Sequence, residues 1–378
     1  VCSKTSYGNA GVISPWTCVP QSMPGLWKQV PRWLIDPEGP VSIRLGHLPK
    51  LMPWVLRFLA AGRSDRLDPV ADGLFRLSRG SVAAYKKRLA GTGQEHLVRD
   101  SMYVHVYRNS KAASLDHLGW QLRQARQVPI ELIDKYALQE IEPHIADGFE
   151  AAILIKQQGR ASDPAGIGIA LAEKALAKGA NHIQTKVHEI HPDEGGGCQL
   201  VTDQGVLTAK KIVLAAGVWS CQLLARFGIK LPMEAERGYH LVLRNPGIEI
   251  NHSVMDADQK YVASLMEAGV RVAGTAEFAG LEAAPNYARA RRFADQAKML
   301  FPQLNCADPH EWMGSRPSFP DSLPCLGTIP GVKNIIAAFG HSHYGLGMAP
   351  ATSEIIADCI DKTIDCETLL PYSITRFR

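Results

Sequence analysis

The stretch Asn334-Ile335-Ile336-Ala337-Ala338-Phe339-Gly340-His341-Ser342-His343-Tyr344-Gly345-Leu346-Gly347-Met348-Ala349-Pro350 decides how the chain reads. Its apolar start predicts a buried strand over Asn334 to Phe339, and a helix is expected from about Pro350 to Lys362. Between them Gly340, Gly345 and Gly347 let the backbone approach a flat or charged ligand, and Pro350 suits a first helical turn. Strand, glycine loop and helix in that order present backbone N–H groups and a helix N-terminus to an anion. Just upstream, Trp312-Met313-Gly314-Ser315-Arg316-Pro317-Ser318-Phe319-Pro320-Asp321-Ser322-Leu323-Pro324-Cys325-Leu326-Gly327 confines Arg316 between a glycine and two prolines. An arginine so held is a rigid, always-charged fork matched to a carboxylate.

Working outward, 378 residues with 46% hydrophobic and 21% charged content suit a globular protein of about two domains. The net charge of +4 is small, and the basic residues are scattered, which argues against a nucleic-acid partner. The cluster Arg289, Arg291, Arg292 reads as a solvated helix face. The best apolar windows, Trp54 to Ala61 and Ile335 to Phe339, fall far short of the roughly 18 residues of a membrane span; peripheral association stays open. The eight cysteines have no paired C-x-x-C spacing, so a disulfide framework or zinc site is not expected, and a cytoplasmic location is. His188, His191 and Cys198 flank Asp193-Glu194-Gly195-Gly196-Gly197, which reads as a hairpin turn and not as a metal site.

Helical patterns run through Leu48, Leu51, Met52, Val55, Leu59 and through Leu74, Leu77, Val82, Tyr85, Leu89. A strand is expected at Met102 to Tyr107, then a helix around Leu115 to Arg126 and a further segment at Val128 to Ile133. From Asp163 helix and strand alternate: a helix over Ile167 to Lys178, a strand over Ile183 to Ile190, a hairpin of Gln199 to Thr202 and Val206 to Lys210, and a strand over Ile212 to Ala215. A second β-rich section spans Tyr239 to Gly274, with Glu267-Ala268-Gly269 as a turn. Gly166-Ile167-Gly168 imitates a dinucleotide fingerprint, but no strand precedes it, and Asp163-Pro164 marks a helix start.

The pair GSRPSFPDSLPCLG and GHSHYGLGMAP resembles the C-terminal signature of the FAD-dependent D-amino-acid oxidase superfamily, and more closely its bacterial D-amino-acid dehydrogenase branch. The resemblance implies that Arg316 grips a substrate carboxylate and that Gly340, His341, Gly345, Leu346, Gly347 and Met348 border the isoalloxazine of FAD. Three further segments agree in order. Thr5-Ser6-Tyr7-Gly8-Asn9-Ala10-Gly11 is similar to the second FAD segment, which implies cofactor contacts from Thr5, Ser6, Asn9, Ala10 and Gly11. Val187 stands where the family places a backbone contact to adenine, and Ala216-Gly217-Val218-Trp219-Ser220 matches the turn under the cofactor, implying roles for Ala216, Gly217 and Trp219. Glu236-Arg237-Gly238-Tyr239-His240 resembles the strand entering the substrate domain.

The implied fold is α/β (α+β): a Rossmann-like FAD domain over 1–14, 145–225 and 310–378, and an antiparallel-sheet substrate domain over 15–144 and 226–309. Family members carry G-x-G-x-x-G before the Thr5 segment, and only four residues precede it here, so an N-terminally truncated FAD domain is expected. The implied reaction is hydride transfer from the Cα of a D-amino or imino acid to flavin N5. Tyr239, His240, His341 and His343 join Arg316 as residues that hold or deprotonate the amine. The electron acceptor is open among quinone, carrier and oxygen, and membrane contact would be on the inner face. The alternatives are a sarcosine or glycine oxidase-like activity, or a non-catalytic remnant unable to hold FAD.

Overall fold

The computed structural model describes residues 2–29, 31, 39–192, 196–364 and 366–377. Its largest element is a curled 11-stranded sheet. The main path runs Val12–Ile13, Ala151–Ala161, Val98–Tyr107, Ser253–Asp256, Tyr261–Met266, Gly269–Ala273, Glu234–Leu243, Ala276–Phe278 and Val41–Ile43. Pro309–Ser318, the arginine strand, pairs with Glu234–Leu243, the floor strand, and Ile130–Asp134 pairs with Ala151–Ala161. Most neighbours are antiparallel; Ser253–Asp256 runs parallel to Val98–Tyr107, and Ala276–Phe278 to Val41–Ile43.

Because strand side chains alternate, the floor strand has two characters. Tyr239, Leu241 and Leu243 enter the main core with Val270, Val272, Phe293 and Leu300, beneath the helix Phe293–Leu300. Glu236, Gly238 and His240 occupy the opposite face, which meets the chain's N-terminal turn and the glycine loop.

Two smaller sheets complete the fold. Cys325–Ile329 and Val332–Phe339 pair antiparallel, and Val332–Phe339 pairs in parallel with Ile212–Leu214, placing Ile335 opposite Ile212. The other is the meander Val187–Pro192, Cys198–Thr202 and Gly205–Ala209. Pro192 faces Cys198 across a hairpin, although Asp193, Glu194 and Gly195 of its turn lie outside the described residues. The strand expected from Ile183 begins only at Val187; before it, the Gln184 carbonyl accepts the Gln204 Nε2 at 2.9 Å instead of a ladder bond.

The helical patterns form at Leu48–Ala61, Ser64–Ser78 and Ser81–Leu89, the last two separated at Gly80 with φ +75. Gly166 and Gly168 lie inside the helix Pro164–Ala177, whose N-cap Asp163 accepts from the Ala165 N–H at 3.0 Å. The C-terminal helix departs from expectation: it runs Gly345–Asp361, so Pro350 sits within it. Pro350 has no N–H for the carbonyl four residues back, that of Leu346. The Tyr85 hydroxyl donates to that carbonyl at 2.7 Å, satisfying the acceptor the proline abandons. Among the described residues no helix is long and apolar enough to cross a membrane.

Candidate active site

The arginine and floor strands pair Glu236 with Arg316, Gly238 with Gly314 and His240 with Trp312. Pairing and alternation therefore bring these six side-chain positions onto one face. Arg316 Nη1 donates to Glu236 Oε1 and to the Thr275 carbonyl, each at 3.0 Å. Its guanidinium lies flat on Gly238, where a Cβ would come within 2.2 Å of Nη2. Nε and Nη2 have no partner among the described residues, so one edge of the fork is open.

Glu236 is only 4% exposed. Its Oε1 also meets His343 Nε2 at 2.5 Å, and its Oε2 accepts from Ser318 Oγ at 2.8 Å. Burial alone would raise this carboxyl; His343, then Arg316 and Ser318, outweigh it and bring it down to about 2. The group is a carboxylate at neutral pH.

His240 stacks on Trp312 with centroids 4.9 Å apart, and its Nδ1 lies 3.3 Å from the Gly8 carbonyl. Burial, assisted by the charge of Arg271, lowers it to about 3, which leaves a neutral imidazole. Arg271 Nη1 donates to the carbonyls of Tyr7 at 2.8 Å and Asn9 at 2.7 Å. Thr5 Oγ1 donates to the Ser315 carbonyl at 2.8 Å, and Asn9 Oδ1 accepts the Gly11 N–H at 2.8 Å. The Thr5–Gly11 turn is thereby laid along the arginine strand, with Ser6 exposed and Ala10 half-buried. Gly11, at φ +81, passes its carbonyl to the Ala161 N–H at 2.7 Å.

The glycine loop enters from the other side. Gly340 turns the chain at φ +89 against the Phe319 ring, and His341 bridges to Ser318. His341 Nε2 contacts Thr352 Oγ1 at 3.0 Å, and burial pulls this imidazole down to about 4. Gly345, Leu346 and Gly347 form the first turn of the C-terminal helix, while the Met348 side chain is buried in the cluster of Leu74, Leu77 and Tyr372. The parallel pair brings the Ala216-Gly217 turn to the same carboxyl edge as this loop. Gly217, at φ +57, has open space beside it, and Trp219 is 41% exposed. Val187 opens the meander opposite Thr202.

One expected residue stands apart. Tyr239 points to the core face, donating to Glu277 Oε2 at 2.6 Å and accepting the Asn286 N–H at 2.9 Å. Burial, reinforced by Glu277, pushes the phenol up to about 12. The floor strand's alternation separates it from Arg316, His240 and His343. Glu236 and Trp312 stand in the quoted motifs without a role of their own, and Arg271 stands outside those motifs. Alternation counted back from His240 was the available signal for Glu236.

The residues present fit a flavin nucleotide. Ser342 Oγ in the glycine loop and Thr185 Oγ1 before Val187 are buried without a partner among the described residues. Tyr344, heading the C-terminal helix, supplies no side-chain cap, which leaves helix N–H groups for an acceptor. Such an arrangement defines a mixed α/β protein that holds a nucleotide cofactor at the carboxyl ends of parallel strands.

Comparison with known proteins gives the family. A family model described as FAD dependent oxidoreductase matches residues 1–359. The chain is 35% identical to a D-amino-acid oxidase of Bradyrhizobium diazoefficiens, over 98% of this chain and 89% of the relative. It is 29% identical to a D-amino acid dehydrogenase of Paramagnetospirillum magneticum, over 99% and 90% of the two chains. Among solved structures it resembles a glycine oxidase from Geobacillus kaustophilus, with a TM-score of 0.70 at 21% identity, covering 99% of this chain and 89% of that one. The chain belongs to the FAD dependent oxidoreductase family. It is an FAD-dependent oxidoreductase enzyme.

Proposed function

We propose that the protein oxidises the Cα–N bond of a D-amino acid, or of a secondary imino acid, to the corresponding imino product. The observation that carries this reading is Arg316: anchored through Nη1, flat on Gly238, and open along Nε and Nη2. An open guanidinium edge matches a carboxylate in two parallel hydrogen bonds. When bound, FAD supplies the hydride acceptor, and the work left to the chain is orientation.

In this mechanism Arg316 holds the carboxylate and so sets where Cα lies, a contribution of proximity. The amine must lose a proton before hydride can leave. His343, 39% exposed and tied to Glu236, is the imidazole placed beside the guanidinium. His240, neutral and roofed by Trp312, presents a polar but uncharged wall. Thr5, Ser6, Asn9, Ala10, Gly11, Val187, Ala216, Gly217, Trp219 and the 340–348 loop surround the cofactor. Residues 1–14, 145–225 and 310–378 are assigned to its domain and 15–144 with 226–309 to the substrate domain, with Ala151–Ala161 and Pro309–Ser318 reaching across into the large sheet. The names of the relatives, oxidase and dehydrogenase, support the amino-acid substrate and leave the acceptor to be read from oxygen uptake against dye reduction.

Arg316→Ala tests the reading. With D-alanine the variant should show a KM raised on the order of 10- to 100-fold at similar FAD content. An unchanged KM would remove Arg316 from the substrate site.

A further inference from the structure

The Glu236 carboxylate is a buried anion inside a site meant to receive another anion, and its partners explain why it is there. Oε1 is shared by Arg316 Nη1 at 3.0 Å and His343 Nε2 at 2.5 Å, while Oε2 takes the Ser318 hydroxyl at 2.8 Å. Arg316 touches no other acidic group among the described residues; its second anchor is the neutral Thr275 carbonyl. Both anchors seize the same nitrogen, Nη1, and the Gly238 backbone lies under the plane. A long arginine side chain keeps considerable rotamer freedom unless it is held, so this three-sided hold selects one orientation.

We propose that Glu236 is a positioning residue: it fixes the Arg316 guanidinium so that Nε and Nη2, and no other edge, meet the substrate carboxylate. This rests on the reading that Arg316 binds that carboxylate. Ser318 and His343 hold Glu236 in turn, so that the strand and the glycine loop are registered through one carboxylate. Two opposing effects act on substrate affinity. The charge of Glu236 repels an incoming carboxylate, whereas its geometry prepares Arg316 for it. The charge effect is common to any neutral replacement, so comparing two neutral replacements isolates the geometry.

Gln at 236 keeps an oxygen for Arg316 and His343 and an amide to donate to Ser318 Oγ; Ala keeps neither. The test uses FAD-loaded protein and benzoate, a carboxylate without an amine, with binding read by calorimetry and KM and kcat read with D-alanine. Glu236→Gln should bind benzoate about tenfold more tightly than Glu236→Ala, the factor expected for one hydrogen bond to a charged group. The same ratio should appear in KM with D-alanine. In an Arg316→Ala background the ratio should collapse to about one, because nothing is left to position. Equal affinities in the Gln and Ala variants, or a ratio that persists without Arg316, would overturn the proposal. If Arg316→Ala itself binds benzoate like the parent, the carboxylate reading falls first, a result distinct from failure of Glu236 alone.

Discussion

Gly238 shows how narrowly the site is drawn. The Arg316 guanidinium carbon would lie 2.3 Å from a Cβ there, and the obstacle is a group already tied down at Nη1. Gly238→Ala should therefore swing the fork off its plane, raising KM for D-alanine on the order of 10- to 100-fold. Steady-state kinetics at matched FAD content would check this, and an unchanged KM would mean the fork is free to move. Arg316 stands out in the sequence because glycine and proline hem it in along the chain. Glu236 does not, since its role exists only once the two strands pair. Tyr239 was read toward the substrate, but a hydroxyl one residue out of phase with the site face goes to the core, where Glu277 takes it.

Among the elements, the N-terminal turn depends most on one distant side chain. Arg271 is 3% exposed and spends Nη1 on the Tyr7 and Asn9 carbonyls, with its guanidinium 5.4 Å from the Tyr7 ring centroid. Arg271→Met keeps the apolar stem and removes both bonds. It should cost roughly 2 kcal/mol of stability and, by freeing the turn, leave protein that sheds FAD on gel filtration. Full flavin retention would show that the turn holds without its clamp. The C-terminal helix was read five residues late, because a proline announces a first turn unless another group satisfies the carbonyl it abandons. Tyr85, far away in sequence, does so. Local patterns carry helix existence well and boundaries poorly where a tertiary hydrogen bond intervenes.

At the scale of the whole molecule, the parallel pair Val332–Phe339 and Ile212–Leu214 gathers the two glycine turns that the sequence already marked. The curled sheet was less visible. It joins Val12–Ile13 to Ala151–Ala161 and Ser253–Asp256 to Val98–Tyr107, pairings set by long-range packing and not by any local period. On the proposed function, this fold presents an α-carboxylate and its amine to FAD. The most direct measurement is the absorbance of the FAD-loaded protein, mixed without oxygen with D-alanine, D-proline and their L-enantiomers. The D-enantiomers should bleach the flavin band, and Arg316→Ala should need far higher concentrations to do so. A flavin that stays oxidised with every D-amino acid, or bleaches equally with both enantiomers and without Arg316, would contradict it.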